Sequence, residues 1–241
     1  MSVTIAAVGD IHLGTEFRGT IGAALAAAST EADILLLAGD LTRCGSIEEM
    51  HIVVDELSNV QLPTIAVLGN HDLHSDLGDE CRDVLEGGGI RVLDRSSTVI
   101  TVGDTRVGIA GATGFGGGFD GAIASNFGER EMRRFAERSQ READGLAAAL
   151  AALAELECAT RIALTHYSPV EATLEGERRE IYPFLGSGLL ASAIDRAGAD
   201  LALHGHAHRG VECGTTAGGV PVHNVAMPVI QRPYRLFTFD V

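Results

Sequence analysis

The stretch VTIAAVGDIH, residues 3–12, sets an apolar, β-branched run directly against a glycine and two residues that can ligate metals, Asp10 and His12. A short continuous apolar run of this kind reads as a strand buried on both faces, as in a parallel sheet covered by helices. Four further runs repeat the pattern. Residues 33–38 lead into Gly39 and Asp40, and 64–68 into Gly69, Asn70, His71 and Asp72. Residues 161–165 lead into His166, and 200–203 into His204, Gly205, His206, Ala207 and His208. Between the first three runs, 20–29 and 46–58 have helical length and spacing, and Ser46 with Glu49 makes a capping-box pattern. Strand alternating with helix implies parallel strands joined by right-handed crossovers. Side chains just beyond the carboxyl ends of such strands converge on one crevice.

The middle of the chain differs. Residues 90–93, 98–102 and 106–110 are short strand candidates separated by turn residues, which suggests a meander in a second or mixed sheet. Residues 128–157 read as one long helix or two shorter ones, and 211–216, 220–225 and 235–240 as closing strands. A length of 241 residues with 46% hydrophobic content and no internal repeat or linker fits one domain over 1–241.

Composition also excludes. No apolar run reaches the roughly 20 residues of a membrane span, and the start lacks the features of a signal peptide, so no membrane association and a cytoplasmic location are expected. Cys44, Cys81, Cys158 and Cys213 are scattered without a close pair, which argues against a disulfide framework or thiolate zinc site. A net charge of −15 disfavours nucleic acid as a partner. All 18 basic side chains are arginines, so chemistry that needs lysine, such as a P-loop or a Schiff base, is ruled out.

Asp10, His12, Asp40, Asn70, His166, His206 and His208 then supply four imidazoles, two carboxylates and an amide oxygen. This mixed set suits zinc, manganese or iron and is too rich in nitrogen for calcium. It is also too large for one tetrahedral ion. Two ions about 3.5–4 Å apart are a known device for in-line displacement at phosphorus, so phosphoester hydrolysis is the reaction class these residues suggest.

The ordered set D-x-H, G-D, G-N-H-D, a lone histidine after a strand, and G-H-x-H resembles the calcineurin-like metallophosphoesterases. The resemblance extends from Asp10 to His208 and implies a four-layer α-β-β-α sandwich with two mixed sheets. It further implies that Asp10, His12 and His208 hold one metal, that Asn70, His166 and His206 hold a second, and that Asp40 bridges them. The cofactors would be two divalent or trivalent ions, Mn, Fe, Zn or Ni, with a metal-held hydroxide as nucleophile. His71 would be the catalytic acid or oxyanion stabiliser, with Asp72 orienting its ring. The protein Ser/Thr phosphatases carry G-D-x-x-D-R-G where this chain has Gly39, Asp40, Leu41, Thr42, Arg43, Cys44 and Gly45. Losing that second acid favours a similarity to the compact prokaryotic phosphodiesterase-like branch, acting on small phosphorylated substrates. A phosphomonoesterase, a nuclease and a non-catalytic scaffold of the same fold are the alternatives.

Other positions are open to two readings. Arg43 can fork onto a substrate phosphate beside Asn70 and His71, or form a surface ion pair. His74 and His223 can line the crevice or serve structure, and His204 fits core packing better. The glycine-rich residues 114–121 read as a mobile rim loop, and 167–188 as the segment that sets selectivity, with Arg178 or Arg179 either touching substrate or solvated.

Overall fold

The computed structural model describes residues 2–240. The five apolar runs form β1 (Ser2–Val8), β2 (Ile34–Ala38), β3 (Thr64–Val67), β9 (Thr160–Thr165) and β10 (Leu201–His204). The helices on the first half are α1 (Gly22–Ala26), α2 (Ile47–Leu57) and α3 (Gly78–Gly87). Ser46 caps α2 through the reciprocal Ser46–Glu49 box that its sequence predicts. Short strands β4 (Arg91–Val92), β5 (Ser96–Val102), β6 (Thr105–Ala112), β7 (Gly118–Phe119) and β8 (Ala122–Ile123) follow, then one long α4 (Arg130–Ala154). The chain closes through α5 (Tyr182–Leu185), α6 (Gly188–Ala197), β11 (Cys213–Thr215), β12 (Pro221–Asn224), α7 (Met227–Ile230) and β13 (Arg235–Asp240). None of these helices is long and apolar enough to cross a membrane.

Two mixed sheets result, ordered β13-β1-β2-β3-β4 and β11-β12-β10-β9-β6-β5. Alternation along each strand builds the layers. On β2, Ile34, Leu36 and Ala38 enter a core shared with Ile162 and Leu164 of β9, while Leu35 and Leu37 face Met50 and Val53 of α2. On the second sheet, Ala110, Ala163 and Ala202 face Leu146, Leu150 and Leu153 of α4 and Ile194 of α6. Helices thus cover the outer face of both sheets, and the fold is the four-layer α/β sandwich that the resemblance implied.

Two expectations are corrected, and two helices are added. Residues 90–93 do not join the meander: β4 pairs in parallel with β3 in the first sheet, and of the three runs β5 and β6 alone pair antiparallel, in the second. α3 and α6 were assigned no element by sequence; α3 buries only Cys81 and Leu85, whereas α6 buries Leu190, Ala193 and Ile194 at helical spacing. The glycine-rich 114–121 segment is buried from Gly116 to Phe119 rather than standing free at a rim. It is held by Gly117 N–H to the Pro183 carbonyl at 2.7 Å and Gly118 N–H to the Gly186 carbonyl at 2.9 Å.

Gly111 lies where the two sheets pack tightly against each other. A Cβ there would stand 2.6 Å from Leu93 Cβ and 2.9 Å from Val67 Cγ1, both on the opposite sheet. Gly111→Val is therefore expected to cost about 3 kcal/mol by overpacking, a fall in melting temperature of roughly 5–10 °C. Gly87→Ala, which meets open space, should leave it unchanged or slightly raised.

Candidate metal centre

The loops that leave β1 and β2 run side by side. Asp10 N–H donates to the Gly39 carbonyl at 2.9 Å, His12 N–H to the Asp40 carbonyl at 3.0 Å and Leu13 N–H to the Leu41 carbonyl at 2.9 Å. Along this tight course Asp10 (φ 57°), His12 (φ 44°) and Asp40 (φ 50°) take left-handed backbone, and His206 (φ 71°), after β10 on the facing sheet, does so too. Each such residue costs roughly 1–2 kcal/mol, and such strain concentrates where function over-determines geometry. Gly39 takes φ 82° to start the turn, and a Cβ on Gly69 would collide with the Asp40 carboxylate.

The structure brings all seven expected donors to the crest between the sheets. Asp10, His12, Asp40 and His208 form one cluster, and Asp40, His166 and His206 a second. In the first, His208 Nε2 lies 2.8 Å from Asp10 Oδ1 and 3.3 Å from His12 Nε2. In the second, His166 Nε2 lies 2.9 Å from Asn70 Oδ1 and 3.3 Å from Asp40 Oδ1. Asp40 is 1% exposed and common to both clusters. Its Oδ2 faces His12 at 3.9 Å while its Oδ1 faces His166.

The donor set fits a cation on chemical grounds. His166 Nδ1 sits 2.9 Å from the Ala38 carbonyl, an acceptor that fixes the proton on Nδ1. Its Nε2 then points at two further oxygens, an arrangement that needs a positive charge: either a second proton or a metal ion. Without a metal, the burial that would lower this imidazole is outweighed by Asp40, and its pKa rises to about 9. Asp40 responds in the opposite sense. Burial alone would raise its carboxyl, but the His166 charge and hydrogen bonds from His166 and the His71 backbone hold it well below the carboxylate range. Burial, then the His166 charge, drives His206 down to about 3. That ring is neutral, and its Nε2 contact with the Phe184 carbonyl at 3.3 Å leaves Nδ1 as the atom with a free lone pair. Burial also lowers His12, whereas the hydrogen bond to Asp10 raises His208.

His71 stands over this cluster with its side chain 43% exposed and Nε2 4.0 Å from Asp40 Oδ2. Asp72 does not touch the His71 ring, contrary to expectation. Its carboxylate is fully buried and accepts Leu41 N–H (3.2 Å), Thr42 N–H (2.8 Å), Thr42 Oγ1 (2.7 Å) and Gly69 N–H (2.9 Å). It thereby ties the Asp40 loop to the Asn70 loop, and burial followed by the Asp40 charge lifts its pKa to about 6. The ring is oriented instead by the Arg43 carbonyl, 2.7 Å from His71 Nδ1. Backbone carbonyls leave no sequence signature, so neither this contact nor the Ala38 contact to His166 was legible in advance. The Arg43 guanidinium pairs with Glu16 at the surface.

His204 is buried, with Nδ1 2.7 Å from the Gly205 carbonyl and Nε2 2.9 Å from Thr173 Oγ1. His74 is exposed, and His223 joins Glu212 and Cys213 rather than either cluster. Tyr167, the first residue of the 167–188 segment expected to set selectivity, packs its ring 4.4 Å from that of His206. All four cysteines are free.

Asp72→Ala would strand buried N–H groups on two loops at a cost of about 3 kcal/mol or more, measurable as a lowered melting temperature. His71→Ala, at a half-exposed position, should shift stability by less than about 1 kcal/mol. Equal stability of the two variants would contradict the assignment of Asp72 as the tie between loops.

The family model for the calcineurin-like phosphoesterases matches residues 3–210. Phosphopantetheinyl hydrolase from Mycobacterium tuberculosis shares the fold with a TM-score of 0.68 at 15% identity, over 97% of this chain and 95% of that one. The protein TT1561 of Thermus thermophilus gives a TM-score of 0.62 at 20% identity, over 100% and 99%. The calcineurin-like phosphoesterase YfkN from Bacillus subtilis gives 0.55 at 12%, over 86% and 72%. No curated protein matches the sequence. The family match spans every residue of both donor clusters, and the chain belongs to the calcineurin-like phosphoesterases, a family of hydrolases.

Proposed function

We propose that the chain, acting as one domain over residues 1–241, hydrolyses phosphoesters of small molecules at a two-ion centre, with phosphodiesters preferred. The observation that carries this reading is the position of Asp40, whose two carboxylate oxygens face different donor clusters. Asp10, His12 and His208 complete one site; Asn70, His166 and His206 complete the other. Nitrogen and oxygen donors in this mixture suit manganese, iron, zinc or nickel. Bound there, two ions would supply charge for the phosphoryl oxygens and acidify the attacking water.

The chain's own residues do the rest. Asp10 accepts the His206 backbone N–H at 2.8 Å, which fixes the G-H-x-H turn against the opposite sheet. With the Arg43 carbonyl holding His71 Nδ1–H, Nε2 is the ring atom on the side of the donor clusters, 4.0 Å from Asp40 Oδ2, and protonated it can give its proton to the leaving oxygen. The Asn70 amide offers Oδ1 to the His166 side and leaves its NH₂ to donate to the substrate phosphoryl group. The exposed Arg43 guanidinium pairs with Glu16 through one nitrogen and keeps other donors for a substrate phosphate, while its carbonyl orients His71. Asp72 acts by holding the loops.

With added manganese, the protein should hydrolyse bis-p-nitrophenyl phosphate with a higher kcat/KM than p-nitrophenyl phosphate. The reverse order would make it a phosphomonoesterase. Absence of metal-dependent turnover of both, and of a panel of natural diesters, would sink the reading. Asp40→Ala should abolish activity, and His71→Ala should lower kcat by roughly 10²–10⁴ while metal content stays at the wild-type level.

A further inference from the structure

The crest that carries the metal centre continues past it. β4 lies beside β3 in one sheet and β6 beside β9 in the other, so the loops leaving β4 and β6 flank the centre on one side. Between them is a cavity of about 190 Å³ whose walls include Leu68, Arg82, Arg95, Thr113, Arg138 and Glu142. It adjoins the centre through covalent and hydrogen-bonded neighbours. Leu68 is two residues before Asn70, and the Thr113 carbonyl accepts the backbone N–H groups of His166 at 3.0 Å and Tyr167 at 3.1 Å.

Three guanidinium groups face this cavity with donors left over. Arg82 (3.3 Å) and Arg95 (2.8 Å) share the Asp94 carboxylate, and Arg95 also reaches Glu142 at 2.7 Å. Arg82 Nε is buried without an acceptor, which is rare for a polar group out of water. Arg138 makes no ion pair among the described residues; its guanidinium lies 4.2 Å from the centroid of the Phe115 ring. That ring continues the wall to Tyr167 (5.7 Å), which packs on His206. The Asp79 carboxylate on the same wall is exposed, where water and salt screen its repulsion. Arginine forks with spare donors at a cavity mouth match the geometry of an oxyanion.

We infer that this cavity is a second anion subsite, which takes a terminal phosphate or carboxylate on the substrate's other arm while the scissile phosphoester sits at the metal centre. The inference rests on the diesterase reading above and narrows it to substrates charged at both ends. Arg138 is the specificity-determining residue, because its charge is the least committed to protein carboxylates.

The test uses p-nitrophenyl alkyl phosphodiesters whose alkyl arm, of graded length, ends in a hydroxyl, a carboxylate or a phosphate. The metal-loaded full chain should favour an anionic arm over the hydroxyl arm by about tenfold in kcat/KM at the length that spans centre and cavity, mainly through KM; that factor corresponds to about 1.4 kcal/mol. In Arg138→Gln the preference should fall towards unity, and Arg138→Lys should restore part of it. The ratio of arms cancels any general loss of activity or stability. A preference for phosphate over carboxylate, or the reverse, identifies which anion the site takes. Hydrolysis of all arms without preference, or a preference that survives Arg138→Gln, overturns the subsite alone. Failure to hydrolyse any arm sinks the diesterase reading and the subsite with it.

Discussion

Asp40 is the constraint around which the rest of the crest is arranged. A buried carboxylate is unfavourable unless neighbouring charge and hydrogen bonds compensate it. Here the compensation comes from both sheets: the His71 backbone N–H at 2.8 Å on one side and the His166 ring at 3.3 Å on the other. The group that links the two donor clusters is thus also the group that ties the first sheet to the second at the level of the site. Glycine at 69 is required because any side chain there would meet the Asp40 carboxylate. Left-handed backbone at Asp10, His12 and Asp40 follows from threading two hydrogen-bonded loops into the same space.

The seven donors were legible because histidine is not a turn residue, so its recurrence at strand ends had no structural explanation. The strands were legible because burial on both faces leaves continuous apolar runs, as at Ile34–Ala38. What escaped the sequence was carried by the backbone or by small residues. The carbonyls of Arg43 and Ala38 orient His71 and His166, and every residue has a carbonyl. Asp72 sits next to His71 in sequence, yet its side chain points to Leu41, Thr42 and Gly69, because adjacent residues on a turn diverge. The glycines at 116–118 resemble a flexible spacer by composition. They serve instead to let this segment pack against the 183–187 region, where a Cβ on Gly116 would stand 2.6 Å from the Pro183 carbonyl. Residues 90–93 were placed with the meander because Asp94 to Ser97 after them read as a turn into the next strand. Their pairing with β3 is a long-range choice that local pattern does not encode.

Division of labour among the carboxylates follows from burial and neighbours. Asp40 stays ionised between imidazoles, whereas Asp72, dry and close to Asp40, is pushed up to about 6. The first supplies charge to the centre and the second supplies rigidity to the loops that bear it. All permanently charged basic side chains of the chain are arginines; besides Arg43 in the Asp40 loop, Arg82, Arg95 and Arg138 line the cavity on the β4–β6 side of the crest. The proposed anion subsite is thus a local exception to the chain's net charge of −15.

The central claim is that one carboxylate joins two metal sites. Anomalous diffraction from crystals of the manganese-loaded protein tests it directly. Two peaks about 3.5–4 Å apart, on either side of the Asp40 carboxylate, are predicted, with one nearer His12 and the other nearer His166. A single peak, or two peaks that do not share Asp40, would contradict it.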